Sequence, residues 1–212
     1  MAGRPSRTRR VSSDSRSPTA YLIGDSIAGG YAAAVQAELA GEIAVEVRPE
    51  NGEDSRHVLE RLGAWLGERR YDAIHVNCGL HDLKRPHRSG EFQVPPAEYE
   101  ANLRQIVARL NRHTARVIWG RTTPVIDGQP AAEKDFDRFN RDIAAYNQAA
   151  DRVMAACGVA VNDLHQAVVE AGVANCVSAD GVHMTEQGYA ILSRRVAAAI
   201  RKAMTADRGG IA

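Results

Sequence analysis

The chain has 212 residues, of which 44% are hydrophobic and 25% charged. That is enough for one soluble globular domain with a substantial core. The formal net charge of +1 gives no global field that would attract nucleic acid or an anionic membrane. No uninterrupted apolar segment is long enough to span a bilayer, so we expect no stable membrane insertion.

The composition of the chain ends predicts the limits of the domain, and the cysteines predict the cellular compartment. Residues 1–18 are rich in Arg and Ser and lack the apolar segment of a secretory signal, which predicts a disordered basic tail. A truncated export signal and a basic interaction arm are the alternatives. The three cysteines form no Cys-x-x-Cys pair, which favours reduced thiols and a cytoplasmic location. We predict one domain over residues 19–204 and a flexible C-terminus over residues 205–212.

Strand and helix patterns alternate along the predicted domain. Apolar runs and period-two alternation predict strands, and these lie at residues 19–23, 43–47, 71–78, 115–119 and 159–161. Apolar residues at helical spacing predict helices at residues 30–40, 55–66, 96–110, about 132–157 and 164–171, and after Thr185. We place Ser55 and Thr185 as the N-caps of the second and the last helix.

This alternation predicts an α/β fold in which a five-stranded parallel sheet is covered by helices on both faces. Ligand sites in such sheets lie outside the carboxyl ends of the strands. Polar clusters follow the strand ends here and precede the last helix: Asp25-Ser26, Asn51-Gly52, His81-Asp82, Arg121-Thr122-Thr123 and the loop that contains Asp180 and His183. We therefore expect one site, built by five loops.

The chemistry of these residues favours nucleophilic catalysis. Ser26 needs a base to take its proton, and a histidine base needs an acceptor on its other nitrogen. Asp180 and His183 are three residues apart, so both side chains can lie on the same side of a turn. Donors for a developing oxyanion could be the Ser26 N–H, the Gly52 N–H and a side chain near His81.

Four segments resemble, in chain order, the sequence blocks of the GDSL, or SGNH, hydrolases: Gly24-Asp25-Ser26-Ile27, Gly52, Gly79-Leu80-His81-Asp82 and Asp180-Gly181-Val182-His183. The resemblance extends from Thr19 to about Ala203. It implies a flavodoxin-like three-layer α/β/α sandwich and hydrolysis of esters or thioesters without a metal or other cofactor. It assigns Ser26 as the nucleophile, His183 as the base and Asp180 as its partner, with Ser26 and Gly52 as oxyanion donors.

The third block departs from the family pattern, because His81 stands where the family has an asparagine that donates to the oxyanion. An imidazole can still donate one N–H, so His81 is our hypothesis for the third donor. The segment Gly79-Leu80-His81-Asp82 resembles a branch of carbohydrate-active acetylesterases, which implies a small ester substrate with an acetyl group. Asn51 and Arg121 follow strand ends and are predicted to bind substrate.

Other interpretations of these residues stay open. A lysophospholipase or acyl-thioesterase would use the same nucleophile. His and Asp side chains at positions 81, 82, 180 and 183 could instead bind the metal of a phosphoesterase, although we predict no metal site. A binding module could keep the fold without turnover. The basic loop from Lys84 to Arg88 is either a lid that recognises an anionic substrate or a solvated loop.

Overall fold

The fold is described from a computed structural model, which covers residues 16–48, 50–127 and 134–205. Most of the predicted basic tail at residues 1–18 and of the predicted C-terminal segment at residues 205–212 therefore lies outside the described residues. None of the helices described combines the length and the apolar character needed to cross a bilayer.

Seven strands and seven helices make up the described part of the chain. In chain order they are β1 (Thr19–Ile23), α1 (Ser26–Glu38), β2 (Ala44–Val47), α2 (Ser55–Leu66), β3 (Ala73–Val76), β4 (Arg85–Pro86), α3 (Pro96–Leu110), β5 (Val117–Gly120), β6 (Phe136–Asp137), α4 (Asn140–Cys157), β7 (Ala160–Asn162), α5 (Leu164–Ala171), α6 (Val173–Cys176) and α7 (Glu186–Thr205). The predicted alternation of strands and helices is confirmed.

Five of the strands form one parallel sheet in the order β2-β1-β3-β5-β7, which confirms the predicted flavodoxin-like fold. The direction in which strands are added reverses between β1 and β3, so the crevice of such a sheet opens at their carboxyl ends. β1 and β3 are almost fully buried, as expected of parallel strands covered on both faces.

Helices form the two outer layers of the sandwich. α1 and α5 pack against α7, while α2 and α4 both pack against α3. Large aromatic side chains fill the core and are fully buried: Tyr31, Tyr99, Trp119 and Tyr146. The sheet is therefore held between rigid layers, and its loops extend from a fixed frame.

The N-termini of two helices differ from the prediction, one in its first residue and the other in its N-cap. α1 starts at Ser26 rather than at residue 30, because Asp25 caps it by accepting the Ile27 N–H at 2.9 Å. The N-cap of α2 is Asp54, which accepts the His57 N–H at 3.0 Å, so the prediction that Ser55 caps this helix is wrong. The buried Ser55 is the first helical residue, and its N–H donates to the carboxylate of Asp82.

The predicted start of α4 near residue 132 is also wrong. The helix begins at Asn140, and the residues before it form β6, which pairs antiparallel with β4 in a two-stranded ribbon. Phe139 keeps the helical spacing to Ile143 and Tyr146, so the apolar pattern alone extends the helix too far. The pairing with β4 makes residues 136–137 a strand instead of the first turn of the helix. The first two residues of the predicted range, 132 and 133, lie outside the described residues.

Candidate active site

The turn between β1 and α1 delivers Ser26 to the carboxyl end of the sheet. Gly24 is needed there, because a Cβ at this position would lie 2.2 Å from the Asn77 Oδ1 and 2.5 Å from the Ala28 Cβ. Ser26 follows directly as the first residue of α1. No group in the described part of the chain accepts its backbone N–H, as is usual for the first turn of a helix. That N–H is therefore available for an anion.

Ser26, His183 and Asp180 form a continuous hydrogen-bonded chain. The Nδ1 of His183 lies 2.5 Å from the Asp180 Oδ2, and its Nε2 lies 2.9 Å from the Ser26 Oγ. A carboxylate only accepts hydrogen bonds, so it places the imidazole proton on Nδ1. The Nε2 of His183 is then a free acceptor for the Ser26 proton, which is the arrangement of an activated nucleophile.

The loop that carries Asp180 also saturates its second oxygen. The Oδ1 accepts from the Ser178 hydroxyl at 2.9 Å, the Val182 N–H at 2.9 Å and the His183 N–H at 2.8 Å. Burial acts to raise the pKa of Asp180, but the hydrogen bonds from His183, Val182 and Ser178 outweigh it and hold that pKa well below its ordinary value. Asp180 therefore stays charged beside the imidazole.

The loop between β2 and α2 contacts the turn that carries Ser26. The Gly52 N–H donates to the Gly24 carbonyl at 2.9 Å, and a Cβ on Gly52 would lie 2.5 Å from that oxygen. The predicted oxyanion donor is thus already engaged in this structure. Its neighbour Asn51 turns into the loop, where its Oδ1 accepts the Glu53 N–H at 2.9 Å.

His81 is held by a lysine one turn further along the chain. The Nζ of Lys84 lies 3.0 Å from the His81 Nδ1. An ammonium group only donates, so this Nδ1 must accept and the ring proton must sit on Nε2. Burial and the charges of Lys84 and Arg138 lower the pKa of His81 to about 3. His81 is therefore a neutral imidazole whose Nε2–H is free to donate.

These groups meet in one cavity of about 290 Å³. Its lining combines residues from the loops after β1, β2 and β3, the segment around β6 and the loop before α7: Ser26, Asn51, Leu80, His81, Lys84, Lys134, Phe136, Arg138, Val182 and His183. Ser26, Asn51, His81 and His183 had been predicted from the sequence. Lys134, Phe136 and Arg138 had not, because nothing in the local pattern marks the two-residue strand β6.

Arg121 does not line this cavity. Its guanidinium pairs with Asp151 in α4, with Nε 2.9 Å from Oδ1 and a second contact to Oδ2, and with Asp163 at 2.5 Å. The hydrogen bond to Asp151 raises the pKa of Arg121 further. The geometry therefore gives Arg121 a structural role between the end of β5 and two helices, and it does not support the predicted substrate contact.

The residues considered for a metal point in different directions. His81 lines the cavity, whereas Asp82 is buried and its two oxygens accept the Ser55 N–H at 3.0 and 3.1 Å. Over residues 16–48, 50–127 and 134–205, no three His, Cys, Asp or Glu side chains are grouped as metal ligands. Asp82 thus anchors α2 to the loop after β3.

The chain resembles known proteins both in sequence family and in structure. The profile of the GDSL-like Lipase/Acylhydrolase family matches residues 22–191, which include every residue of the hydrogen-bonded chain from Ser26 to Asp180. No curated protein sequence matches this chain.

Several solved structures share the fold. A lipase/acylhydrolase from Enterococcus faecalis is 21% identical, with a TM-score of 0.73 over 87% of this chain and 96% of that chain. LAE5, an alpha/beta hydrolase enzyme from the metagenome of Lake Arreo in Spain, is 19% identical, with a TM-score of 0.69 over 88% and 96%. Axe2, an acetylxylan esterase from Geobacillus stearothermophilus, is 21% identical, with a TM-score of 0.68 over 86% and 94%. At these identities the likeness is one of fold.

Proposed function

Because the chain belongs to the GDSL-like lipase/acylhydrolase family, we propose that it is a serine-dependent carboxylic ester hydrolase that removes acetyl groups from carbohydrate. The observation that carries the mechanism is the hydrogen-bonded chain from Ser26 through His183 to Asp180. The acetyl-carbohydrate substrate is supported by the segment Gly79-Leu80-His81-Asp82 and by the fold shared with the acetylxylan esterase Axe2.

The first step is acylation of Ser26. The Nε2 of His183 takes the hydroxyl proton while the Oγ forms a bond to the ester carbonyl carbon, and the carbonyl electrons move onto the oxygen. Asp180 stabilises the imidazolium formed in this step, because its carboxylate lies 2.5 Å from Nδ1. His183 then returns the proton to the departing alcohol, and an acetyl-enzyme remains.

The negative charge on the carbonyl oxygen needs donors that are already in place. The Ser26 N–H at the N-terminus of α1 is one such donor, and the helix dipole adds to its effect. The Nε2–H of His81 is the second, since Lys84 occupies its other nitrogen. The Gly52 N–H can contribute only by sharing its hydrogen with the Gly24 carbonyl.

The second step is hydrolysis of the acetyl-enzyme. His183 takes a proton from water, the resulting hydroxide attacks the acyl carbon, and Ser26 leaves with the proton that His183 returns. The cavity of about 290 Å³ is at the lower end of small-molecule sites. This size favours a short acyl group over the long chain that a lysophospholipase or an acyl-thioesterase would have to accommodate.

Loss of the nucleophile is the test of this proposal. Ser26→Ala should lower kcat for an aryl acetate by roughly 10⁴-fold or more, and a fluorophosphonate should label the wild-type protein at Ser26. Ser89→Ala is the matched control, since Ser89 lies in an exposed loop outside the cavity and its hydroxyl oxygen accepts the Glu91 N–H. Full activity of Ser26→Ala, or loss of wild-type activity with EDTA, would refute the serine mechanism.

Substrate length is tested separately. Aryl esters of rising acyl length should show their highest kcat/KM at acetyl, and acetylated sugars should release acetate. A maximum at long acyl chains would contradict the acetyl assignment and would favour the lysophospholipase or acyl-thioesterase alternative.

A further inference from the structure

We propose that the substrate carries an anionic group, a carboxylate or a phosphate, near its scissile ester, and that Arg138 and Lys84 bind this group. The inference rests on the proposed ester hydrolysis and defines its substrate class more narrowly. It starts from the charges that line the cavity. Lys84, Lys134 and Arg138 line it, and no Asp or Glu is among the lining residues.

Arg138 is the central residue of this cluster. Its Nε donates to the Leu80 carbonyl at 2.5 Å, which fixes the guanidinium beside His81. Nowhere in the described ranges does a carboxylate form an ion pair with it, and its terminal N–H groups have no acceptor there. Burial lowers the pKa of Arg138 to about 10, against the opposing charges of Asp25 and Asp180. It stays a cation at neutral pH with unused donors.

Arg48 also forms no ion pair with a carboxylate among the described residues, but its guanidinium donates to the Gly24 and Asp25 carbonyls. Two other arginines near this side of the molecule have their charge matched by carboxylates. Arg85 in the same ribbon makes two hydrogen bonds to Asp142, at 2.7 and 2.9 Å, and Arg121 pairs with Asp151 and Asp163. A partly buried guanidinium without a carboxylate is costly. The contrast indicates that the partner of Arg138 is supplied from outside the protein.

One aromatic ring holds the two central cations together. The Nζ of Lys84 lies 4.6 Å and the guanidinium carbon of Arg138 lies 4.8 Å from the centroid of Phe136. Burial and the repulsion from Arg138 lower the pKa of Lys84. The two cations repel each other, and an anion near both would relieve that repulsion. Bidentate binding of a carboxylate or phosphate is what a guanidinium does best.

The position of the cluster fixes where the anion lies on the substrate. Ser26 and Arg138 line the same cavity of about 290 Å³, so a bound ester has little length between its carbonyl and its anionic group. An acetylated sugar acid and an acetylated sugar phosphate both meet this requirement.

The test uses anionic esters paired with neutral esters of nearly equal shape. The pairs are 4-acetoxybenzoate with its methyl ester, 4-acetoxyphenyl phosphate with its dimethyl ester, and an aryl hemiglutarate with the aryl pentanoate. We expect kcat/KM to be higher for the anionic member of at least one pair by roughly 10- to 100-fold. The pair that responds identifies carboxylate or phosphate, and the alcohol or the acyl side. The preference should shrink as salt is added.

Variants connect the preference to its residue. Arg138→Gln should remove most of the preference for the anionic ester, measured as the ratio of kcat/KM for the two members of a pair, so that a change common to both esters does not count. Arg141→Gln is the matched control. Its side chain is exposed, lies 4.0 Å from Asp142 and is stacked on Phe139 outside the cavity. Arg141→Gln removes one positive charge, as Arg138→Gln does. If both variants lost the preference for the anionic ester, the cause would be overall charge, and the proposal would be overturned.

The outcomes separate this inference from the proposed function. Equal kcat/KM for the members of all three pairs would overturn the anionic substrate and leave ester hydrolysis intact. If no ester is hydrolysed, the proposed function fails on its own. Binding of the same pairs to Ser26→Ala, measured by calorimetry, then still decides the question. Tighter binding of the anionic ester that Arg138→Gln abolishes would support the proposal, and equal binding of both members would overturn it.

Discussion

The two histidines of the cavity have the same local arrangement with opposite charge. His183 is bound at Nδ1 by Asp180, three residues earlier, at 2.5 Å. His81 is bound at Nδ1 by Lys84, three residues later, at 3.0 Å. The carboxylate places the proton of His183 on Nδ1 and leaves Nε2 as an acceptor. The ammonium places the proton of His81 on Nε2 and makes that atom a donor.

This difference shows that the charge of the partner, rather than the imidazole itself, decides what each histidine can do. One ring can take the Ser26 proton, and the other can donate to the oxygen that becomes negative when Ser26 attacks. The two partners, Asp180 and Lys84, also have opposite effects on the charged form of their imidazole. Asp180 stabilises an imidazolium at His183, whereas Lys84 and Arg138 disfavour an imidazolium at His81. Changing each partner in turn should therefore have distinct consequences.

The largest effect should come from Asp180→Asn. The amide is nearly isosteric, but its NH₂ would face either the His183 Nδ1 or the three donors that now reach Oδ1. The imidazole would lose its fixed tautomer and the stabilisation of its charged form. We expect kcat for an aryl acetate to fall by roughly 10³- to 10⁴-fold, with little change in KM. A fall of less than tenfold would show that Asp180 does not orient His183.

The next largest effect should come from His81. If its Nε2–H stabilises the oxyanion, His81→Ala should lower kcat by roughly 10²- to 10³-fold. His81→Asn supplies an NH₂ in place of the ring N–H and should recover part of that loss. Steady-state kinetics with the aryl acetate measures both variants. Unchanged turnover in His81→Ala would exclude His81 as a donor, and equal losses in both variants would indicate a packing role.

The comparison of the two histidines also explains what the sequence could predict. Both partners lie within three residues of their histidine, but only the pair of Asp180 and His183 was recognised. That pair follows from the three-residue spacing and from the requirement that a histidine base has a hydrogen-bond acceptor on its other nitrogen. The parallel sheet was predictable for a similar reason, since alternating strands and helices allow few topologies, whereas its flavodoxin-like arrangement was implied by the resemblance to the GDSL hydrolases.

The remaining site residues depend on contacts between distant segments. Phe136 and Arg138 reach the cavity because β6 pairs with β4, some 50 positions earlier in the chain, and two paired residues leave no periodic signal. The partners of Arg121, which are Asp151 and Asp163, lie in other elements as well. Position after a strand end therefore predicted the neighbourhood of Arg121 but not where its side chain points.

Lys84→Met should show how much the tautomer of His81 contributes, because the imidazole stays in place while the group that fixes its proton is removed. Without the ammonium, the His81 proton can occupy either nitrogen, and the fraction of the ring that can donate from Nε2 falls. We expect kcat for the neutral aryl acetate to fall by about tenfold, and Lys84→Arg, which keeps a cationic donor, to recover most of it. Nitrogen-15 NMR of the histidine rings should show the Nε2–H form of His81 in the wild type and a mixture in Lys84→Met. If His81 still showed only the Nε2–H form in Lys84→Met, Lys84 would not be what fixes the tautomer of His81.

The smallest effect concerns stability and pH. The pKa of His81 is about 3 in the folded protein, below its ordinary value of about 6.5. Between these values the unfolded chain binds the extra proton more readily, so stability is lost as pH falls. His81→Asn cannot titrate, so the wild type should lose about 1 kcal/mol more than this variant between pH 7 and pH 5, after allowance for partial exposure. Unfolding in guanidinium chloride at the two pH values measures this difference. Equal losses would mean that His81 accepts a proton in the folded state as readily as in the unfolded chain, and that the cations around it do not hold it neutral.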